Sequence, residues 1–213
     1  LLFAQNHKIE FDHLKLKSKL FNQFSNKKII LHAGTPKSWS LFRPWIYETA
    51  DEYVRNINDV ITAVEKIPGV YLAVRFRPDE TLSLKDFKMS LVVSNCYGIY
   101  DEGDFEDYLI ASNFLLSYSS TAIEQSLHYN LPVIQYEPDG KYEHIKAEVL
   151  KYNGNHNIST IYSVMSQEDL RPALKWLNEN HQSSNNINLL WSEHTFNYKN
   201  NMNWLNKMDL TKS

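Results

Sequence analysis

Between Phe114 and Tyr136 the chain reads FLLSYSSTAIEQSLHYNLPVIQY, two short apolar strands separated by a hydroxyl-rich turn and one helix. Phe114, Leu115 and Leu116 form a buried strand stub, and Ser117, Ser119, Ser120 and Thr121 fill the turn. Ala122, Ile123, Leu127 and Leu131 carry the apolar stripe of a helix ending near Asn130 and Pro132, and Val133 to Tyr136 is the next strand. The first N–H groups of that helix have no intrahelical partner and its dipole makes that end mildly positive, so hydroxyls beside it suit a phosphate. The same residues also read as a plain helix cap: Ser119 or Ser120 takes the N-cap, and Glu124 stands where a capping box places an acid.

The segment belongs to a longer alternation of strand and helix, which argues for a parallel α/β sheet of Rossmann-like type with helices on both faces. Strand one is Ile29 to His32, followed by a loop over 33–44. Tyr53, Ile57, Val60, Ile61 and Val64 mark a helix from Tyr47 to Ile67, closed by Pro68 and Gly69. Tyr71 to Phe76 is strand two, a short helix spans Leu84 to Met89, and Leu91 to Ser94 reads as strand three. A loop at Tyr97 to Tyr100 leads to a helix from Phe105 to Ser112. After the fifth strand, Val133 to Tyr136, helical spacing returns in Leu170, Ala173, Leu174 and Leu177, with Ser166 as its cap.

Three segments follow: a lead-in or interdomain piece over 1–28, helical from Phe11 to Phe24; a nucleotide-binding domain over 29–181; and a tail over 182–213. The tail is rich in Asn and Ser yet holds Leu189, Leu190, Trp191, Phe196, Tyr198 and Trp204. Such aromatic surface is expected to dock on the domain or on an N-terminal half outside this stretch. The chain starts with Leu1, which points to a beginning inside a longer polypeptide.

With 213 residues, 43% hydrophobic and 22% charged, the chain can bury one good core. A net charge of −3 without a basic cluster argues against nucleic acid as a partner. A single cysteine, Cys96, excludes an intrachain disulfide and suits a reducing compartment. Eight histidines lie scattered, without the close pairing typical of zinc sites, so no metal is expected. No apolar run is long enough for a transmembrane segment. A cytoplasmic location follows, with peripheral association at the inner membrane as a further expectation.

In a parallel sheet, ligands sit beyond the carboxyl ends of the strands. Four elements fall there. In His32 to Lys37, Gly34 allows close backbone approach while Thr35 and Lys37 donate to an oxyanion; an ordinary strand-to-helix loop is the other account. In RFRP, Arg75 and Arg77 share one face at the strand's end before Pro78, as phosphate clamps or as solvated edge charges. The loop with Tyr97, Gly98, Ile99 and Tyr100 offers rings and backbone groups to a planar base, or buries structural tyrosines. Ser117 to Thr121, with Glu124, is the fourth. Their joint placement favours a nucleotide.

The stretch from Ile29 to Ile145 resembles the C-terminal, nucleotide-binding half of a GT-B glycosyltransferase. The resemblance rests on Arg77-Pro78, the pair Ser119 and Ser120, Glu124, and Pro132-Val133-Ile134. Bacterial sialyltransferases and Kdo-type transferases of this fold grip the CMP phosphate with a His-Pro and a Ser-Ser motif, and CDP-glycerol glycerophosphotransferases have a similar hydroxyl-rich loop. Arg77 replaces the histidine here and is permanently charged, so phosphate binding but not proton donation carries over to it.

The resemblance implies a donor-binding domain that receives a CMP-, UDP- or CDP-linked sugar for transfer to a polysaccharide or lipid-linked acceptor. It requires no cofactor beyond the donor. Glu124 would lie near the ribose or transferred sugar and is the one catalytic candidate, or else the helix's own capping partner; the catalytic base would sit in the N-terminal half. Two alternatives remain: a sugar-nucleotide 2-epimerase of related fold, and a non-catalytic interaction domain docking through Trp191 and Trp204.

Overall fold

Seven strands line up in one parallel sheet of order β3-β2-β1-β4-β5-β7-β6. The computed structural model describes residues 13–34, 36, 48–78, 81–118, 120–141 and 145–181. The strands are β1 (Lys28–Gly34), β2 (Val70–Phe76), β3 (Tyr97–Tyr100), β4 (Phe114–Ser117), β5 (Val133–Tyr136), β6 (Glu148–Val149) and β7 (Ile161–Val164). The helices are α1 (His13–Phe21), α2 (Ala50–Glu65), α3 (Leu84–Ser90), α4 (Phe105–Ala111), α5 (Ala122–His128) and α6 (Gln167–Asn180). The expected Rossmann-like α/β fold is the one observed. Among the described residues no helix is long and apolar enough to cross a membrane.

Strand alternation sorts the core into two layers. Ile30, Leu72, Val74, Leu116, Ile134 and Tyr162 face α2, α3 and α6. Ile29, Leu31, Tyr71, Ala73, Leu115 and Val133 face α1, α4 and α5. Strands covered on both faces read as continuous apolar runs, which is why β1, β2, β4 and β5 stand out in the sequence. Helix α2 begins at a full capping box, with Thr49 taking the Glu52 N–H at 3.1 Å and the Glu52 carboxylate taking the Thr49 N–H at 2.8 Å.

Several elements differ from expectation. Leu91 to Ser94 is not a strand. Val93 is fully exposed and the Val92 N–H goes to the Asn58 side chain at 2.9 Å, so a side chain holds this backbone instead of a ladder. The third strand is Tyr97–Tyr100, expected to be a loop; it pairs with β2 in the register Leu72↔Tyr97 and forms the sheet edge. Helix α5 stops at His128, earlier than its apolar stripe suggests. Asn130 adopts a left-handed φ of 56°, and the Leu131 N–H turns back to the Ser126 carbonyl at 2.9 Å. Strands β6 and β7 were not anticipated, because two- and four-residue strands leave little periodicity to find. The tail over 182–213 lies outside the described residues, as does most of the loop over 33–44.

Candidate functional site

The chain order creates a crevice. From β1 it moves outward through β2 to β3, then α4 carries it back across the sheet to β4 on the other side of β1. The connections leaving β1 and β4 therefore diverge onto opposite faces, and the gap beyond their carboxyl ends is where open α/β sheets bind ligands. Here it is a crevice partly open to solvent, lined by His32 and Gly34 of β1, Ser117 at the end of β4 and Tyr118 just beyond it, Tyr136 of β5, Tyr53 and Asn56 of α2, and Glu48 just before that helix.

Its polar groups are ordered by one another. Asn56 donates to the Glu48 carboxylate at 3.0 Å, and both side chains are buried. The Tyr53 hydroxyl donates to the Gly34 carbonyl at 3.0 Å, and its ring meets the His32 ring edge-on. Glu137, buried just past β5, accepts the Lys141 N–H at 2.6 Å. The turn that follows is tied to α2 by two ion pairs, Arg55 with Asp139 and Lys141 with Glu52. The Lys141 ammonium, hydrogen-bonded to Glu52, holds that carboxyl below the usual range. Burial first, then the charges of Glu137, Glu48, Glu52 and Asp139, push the Tyr118 phenol far up, so it stays a donor. Among the described residues no group of three or more His, Cys, Asp or Glu side chains is placed to hold a metal ion.

The expected site residues divide into three sets. Gly34 closes β1 at the crevice, and the described residues nearest to it would tolerate a Cβ in ordinary contact. Arg77 stands exposed one residue beyond β2, and Gly34 pairs with Phe76, so Arg77 and the crevice share one sheet edge. Ser120 is half-buried and its hydroxyl accepts the Ala122 N–H at 3.2 Å. Thr121 holds the N-cap position of α5 without capping it, and Glu124 lies exposed in the first turn.

A second set is committed to the fold. The Arg75 guanidinium donates to the Tyr100 carbonyl at 3.0 Å and the Gly103 carbonyl at 2.9 Å and lies over the Tyr108 ring, tying the β3 end to β2. Ser117 is fully buried and donates to the Ala33 carbonyl at 2.8 Å, stitching β4 to β1. Tyr97 and Ile99 pack beside the α2–α3 core, while Tyr100 packs with Phe21 and Tyr108 on the other face. Gly98 is required by crowding, not flexibility, because a Cβ there would collide with the Tyr71 hydroxyl. The third set, Thr35, Lys37 and Ser119, lies outside the described residues.

Sequence reasoning named the segments His32 to Lys37 and Ser117 to Thr121 without assigning a role to His32 or Tyr118, and it missed Glu48, Asn56 and Glu137. For Tyr118 a signal existed: it sits between two serines already singled out, two residues after Leu116 and so on the same strand face. Glu48 carried none, since an acid just before a helix reads as ordinary first-turn chemistry.

No protein-family model matches the chain, and no curated protein does. Solved structures do superpose. The UDP-GlcNAc 2-epimerase from Neisseria meningitidis bound to UDP-GlcNAc gives a TM-score of 0.49 at 16% identity, covering 78% of this chain and 40% of that one. The Anabaena protein HepE in complex with UDP and glucose gives 0.49 at 15% identity, covering 78% and 43%. A variant of the wall teichoic acid polymerase TagF gives 0.47 at 13% identity, covering 85% and 40%. The chain thus spans about two fifths of the length of these solved chains. The fold assignment stands on the strand order itself.

Proposed function

We propose that this chain is the donor-binding half of a GT-B-type glycosyltransferase, holding a nucleotide-linked sugar at the β1–β4 crevice for transfer to a growing surface polysaccharide. The observation that carries this reading is the lateral alignment of Arg77, Gly34 and the Tyr118–Thr121 turn beyond three adjacent strands. At a strand spacing of about 4.8 Å these ends span roughly 10 Å, the scale of a phosphate with its attached sugar. Arg77 is a permanent cation free of any proton-transfer duty, and the hydroxyl-bearing turn of Ser120 and Thr121 stands at the end of the neighbouring strand β4.

In this reading negative charge grows on the nucleotide phosphate as the sugar leaves, and Arg77 with the hydroxyl-bearing turn stabilises it without a metal. The remaining expected contacts, Thr35, Lys37 and Ser119, would complete the anion side, with Glu124 near the ribose or sugar. The catalytic base and the acceptor site belong to an N-terminal half of the same polypeptide. The work is placed on the cytoplasmic side, where nucleotide-sugars are available.

Calorimetric titration with CMP, UDP, CDP, CDP-glycerol and UDP-N-acetylglucosamine tests the reading. At least one is expected to bind, unaffected by EDTA, and to lose affinity when Arg77 is replaced by Ala. Absence of binding by all five at millimolar concentration would sink it. Slow conversion of UDP-N-acetylglucosamine by the chain alone, seen by NMR, would move the assignment to a 2-epimerase.

A further inference from the structure

The best-defined unexplained group is the hydroxyl of Tyr118. Tyr53, Tyr71, Tyr97, Tyr100, Tyr108, Tyr136 and Tyr162 each have a hydroxyl hydrogen-bonded within the fold. The Tyr118 oxygen is buried, yet it has no hydrogen-bond partner among the described residues. Burying a hydroxyl without a partner costs its desolvation with nothing returned, and a Phe would fill the same space without that cost. Such a group in a native protein calls for an explanation, and here the hydroxyl belongs to a crevice-lining residue at the topological switch point.

Its surroundings narrow what it meets. Glu48 lines the same crevice and Glu137 stands just past β5; these carboxylates, with Glu52 and Asp139, make charge of the same sign unwelcome beside the phenol. A phosphate is better placed across β1, toward Arg77. An uncharged oxygen suffers no such repulsion, and carboxylates nearby can accept from the hydroxyl hydrogens that come with it.

We propose that Tyr118 is a specificity-determining contact of the crevice: its hydroxyl donates to an uncharged oxygen of the sugar or polyol carried by the nucleotide, and not to the phosphates. This rests on the donor-binding reading above and adds to it an orientation, with the phosphate on the Arg77 side and the transferred group on the α2 side.

The test is Tyr118→Phe, with melting temperature and calorimetric affinity measured for two pairs of probes: UDP-N-acetylglucosamine beside UDP, and CDP-glycerol beside CDP. In the pair that binds, the variant is expected to weaken the conjugate roughly threefold to tenfold. The free nucleotide stays within about twofold, which is the scatter expected when no contact is lost. Removing an unreturned burial cost raises the melting temperature by roughly 2–6 °C. Equal weakening of conjugate and nucleotide, unchanged affinity for both, or a fall in melting temperature would each overturn the assignment of Tyr118 while leaving the donor-binding reading in place. Failure of both pairs to bind the unaltered protein overturns the two together.

Discussion

Two stretches of the same carboxyl sheet edge have opposite fates. At the β2–β3 end Arg75, Tyr100, Tyr108 and Gly103 close on one another, with Arg75 bridging two carbonyls and stacking over a ring. At the β1–β4 end the helices leave on opposite faces, and the strand ends border a crevice lined by the Glu48 carboxylate and three tyrosines, Tyr53, Tyr118 and Tyr136. The helices that follow β2 and β3 also lie in opposite core layers, but there the Arg75 side chain and the Tyr100 and Gly103 carbonyls close the gap, whereas at β1–β4, where the strand order reverses, the gap stays open. A charged residue at a strand end is therefore a ligand candidate only if the fold has not already given it a partner.

Arg75 and Arg77, two residues apart, give the sharpest way to break that comparison. The amino edge of the sheet supplies the control with the largest expected effect. There the buried His181 ring shares a hydrogen bond with the Tyr162 hydroxyl at 2.8 Å, and burial, with Lys28 adding repulsion, holds its pKa down to about 4 from the usual 6.5. Because the folded value is depressed, the unfolded chain takes up the proton first. Stability is complete above pH 6.5 and falls as pH drops toward 4, by about 3 kcal/mol in all. Urea unfolding at pH 7 and pH 4.5 should show the loss, and His181→Asn, which keeps a hydrogen-bonding side chain near Tyr162, should flatten the slope.

Next in size, Arg75→Ala should destabilise the fold by about 2–3 kcal/mol, since two charge-assisted hydrogen bonds are lost at a partly exposed site. Urea midpoints measure it; a neutral outcome would place Arg75 among the ligand groups after all. Arg77→Ala should do the reverse. Its stability should stay within about 0.5 kcal/mol of the parent, while nucleotide affinity falls roughly tenfold to hundredfold, the range for one charged contact.

The serines repeat the contrast on a smaller scale. Ser117→Ala removes a buried bridge between β4 and β1 and should cost about 1–2 kcal/mol of stability. Ser120→Ala removes a helix-start hydrogen bond worth about 0.5–1 kcal/mol and should weaken nucleotide binding a few-fold, measured by calorimetry on the same samples. If Ser117→Ala weakens binding more than Ser120→Ala, Ser117 belongs to the site and not only to the fold.

Legibility in the sequence followed the range of the interactions. Helices α2, α4 and α6 and strands β1, β2, β4 and β5 were readable because their apolar periods and caps are local. The third strand was misplaced onto Leu91 to Ser94, where a run of valines imitates a strand, while the true one contains a glycine and two tyrosines. Its identity depends on Tyr71, whose hydroxyl leaves room at Gly98 for hydrogen alone. For the candidate site, the sequence pointed to the carboxyl ends of the strands, while the division of labour among the side chains there was not legible. Ser117 bonds to a carbonyl 84 residues earlier, and Arg75 to carbonyls 25 and 28 residues later.

By itself, then, the sequence determined a parallel α/β sheet covered on both faces, with a hydroxyl-rich turn feeding a helix after the fourth strand, because burial periodicity and capping act over a few residues. Only the tertiary structure decided which strand-end side chains the fold consumes and which face the crevice. Those partners are brought together by strand order, and strand order is set by packing among distant segments.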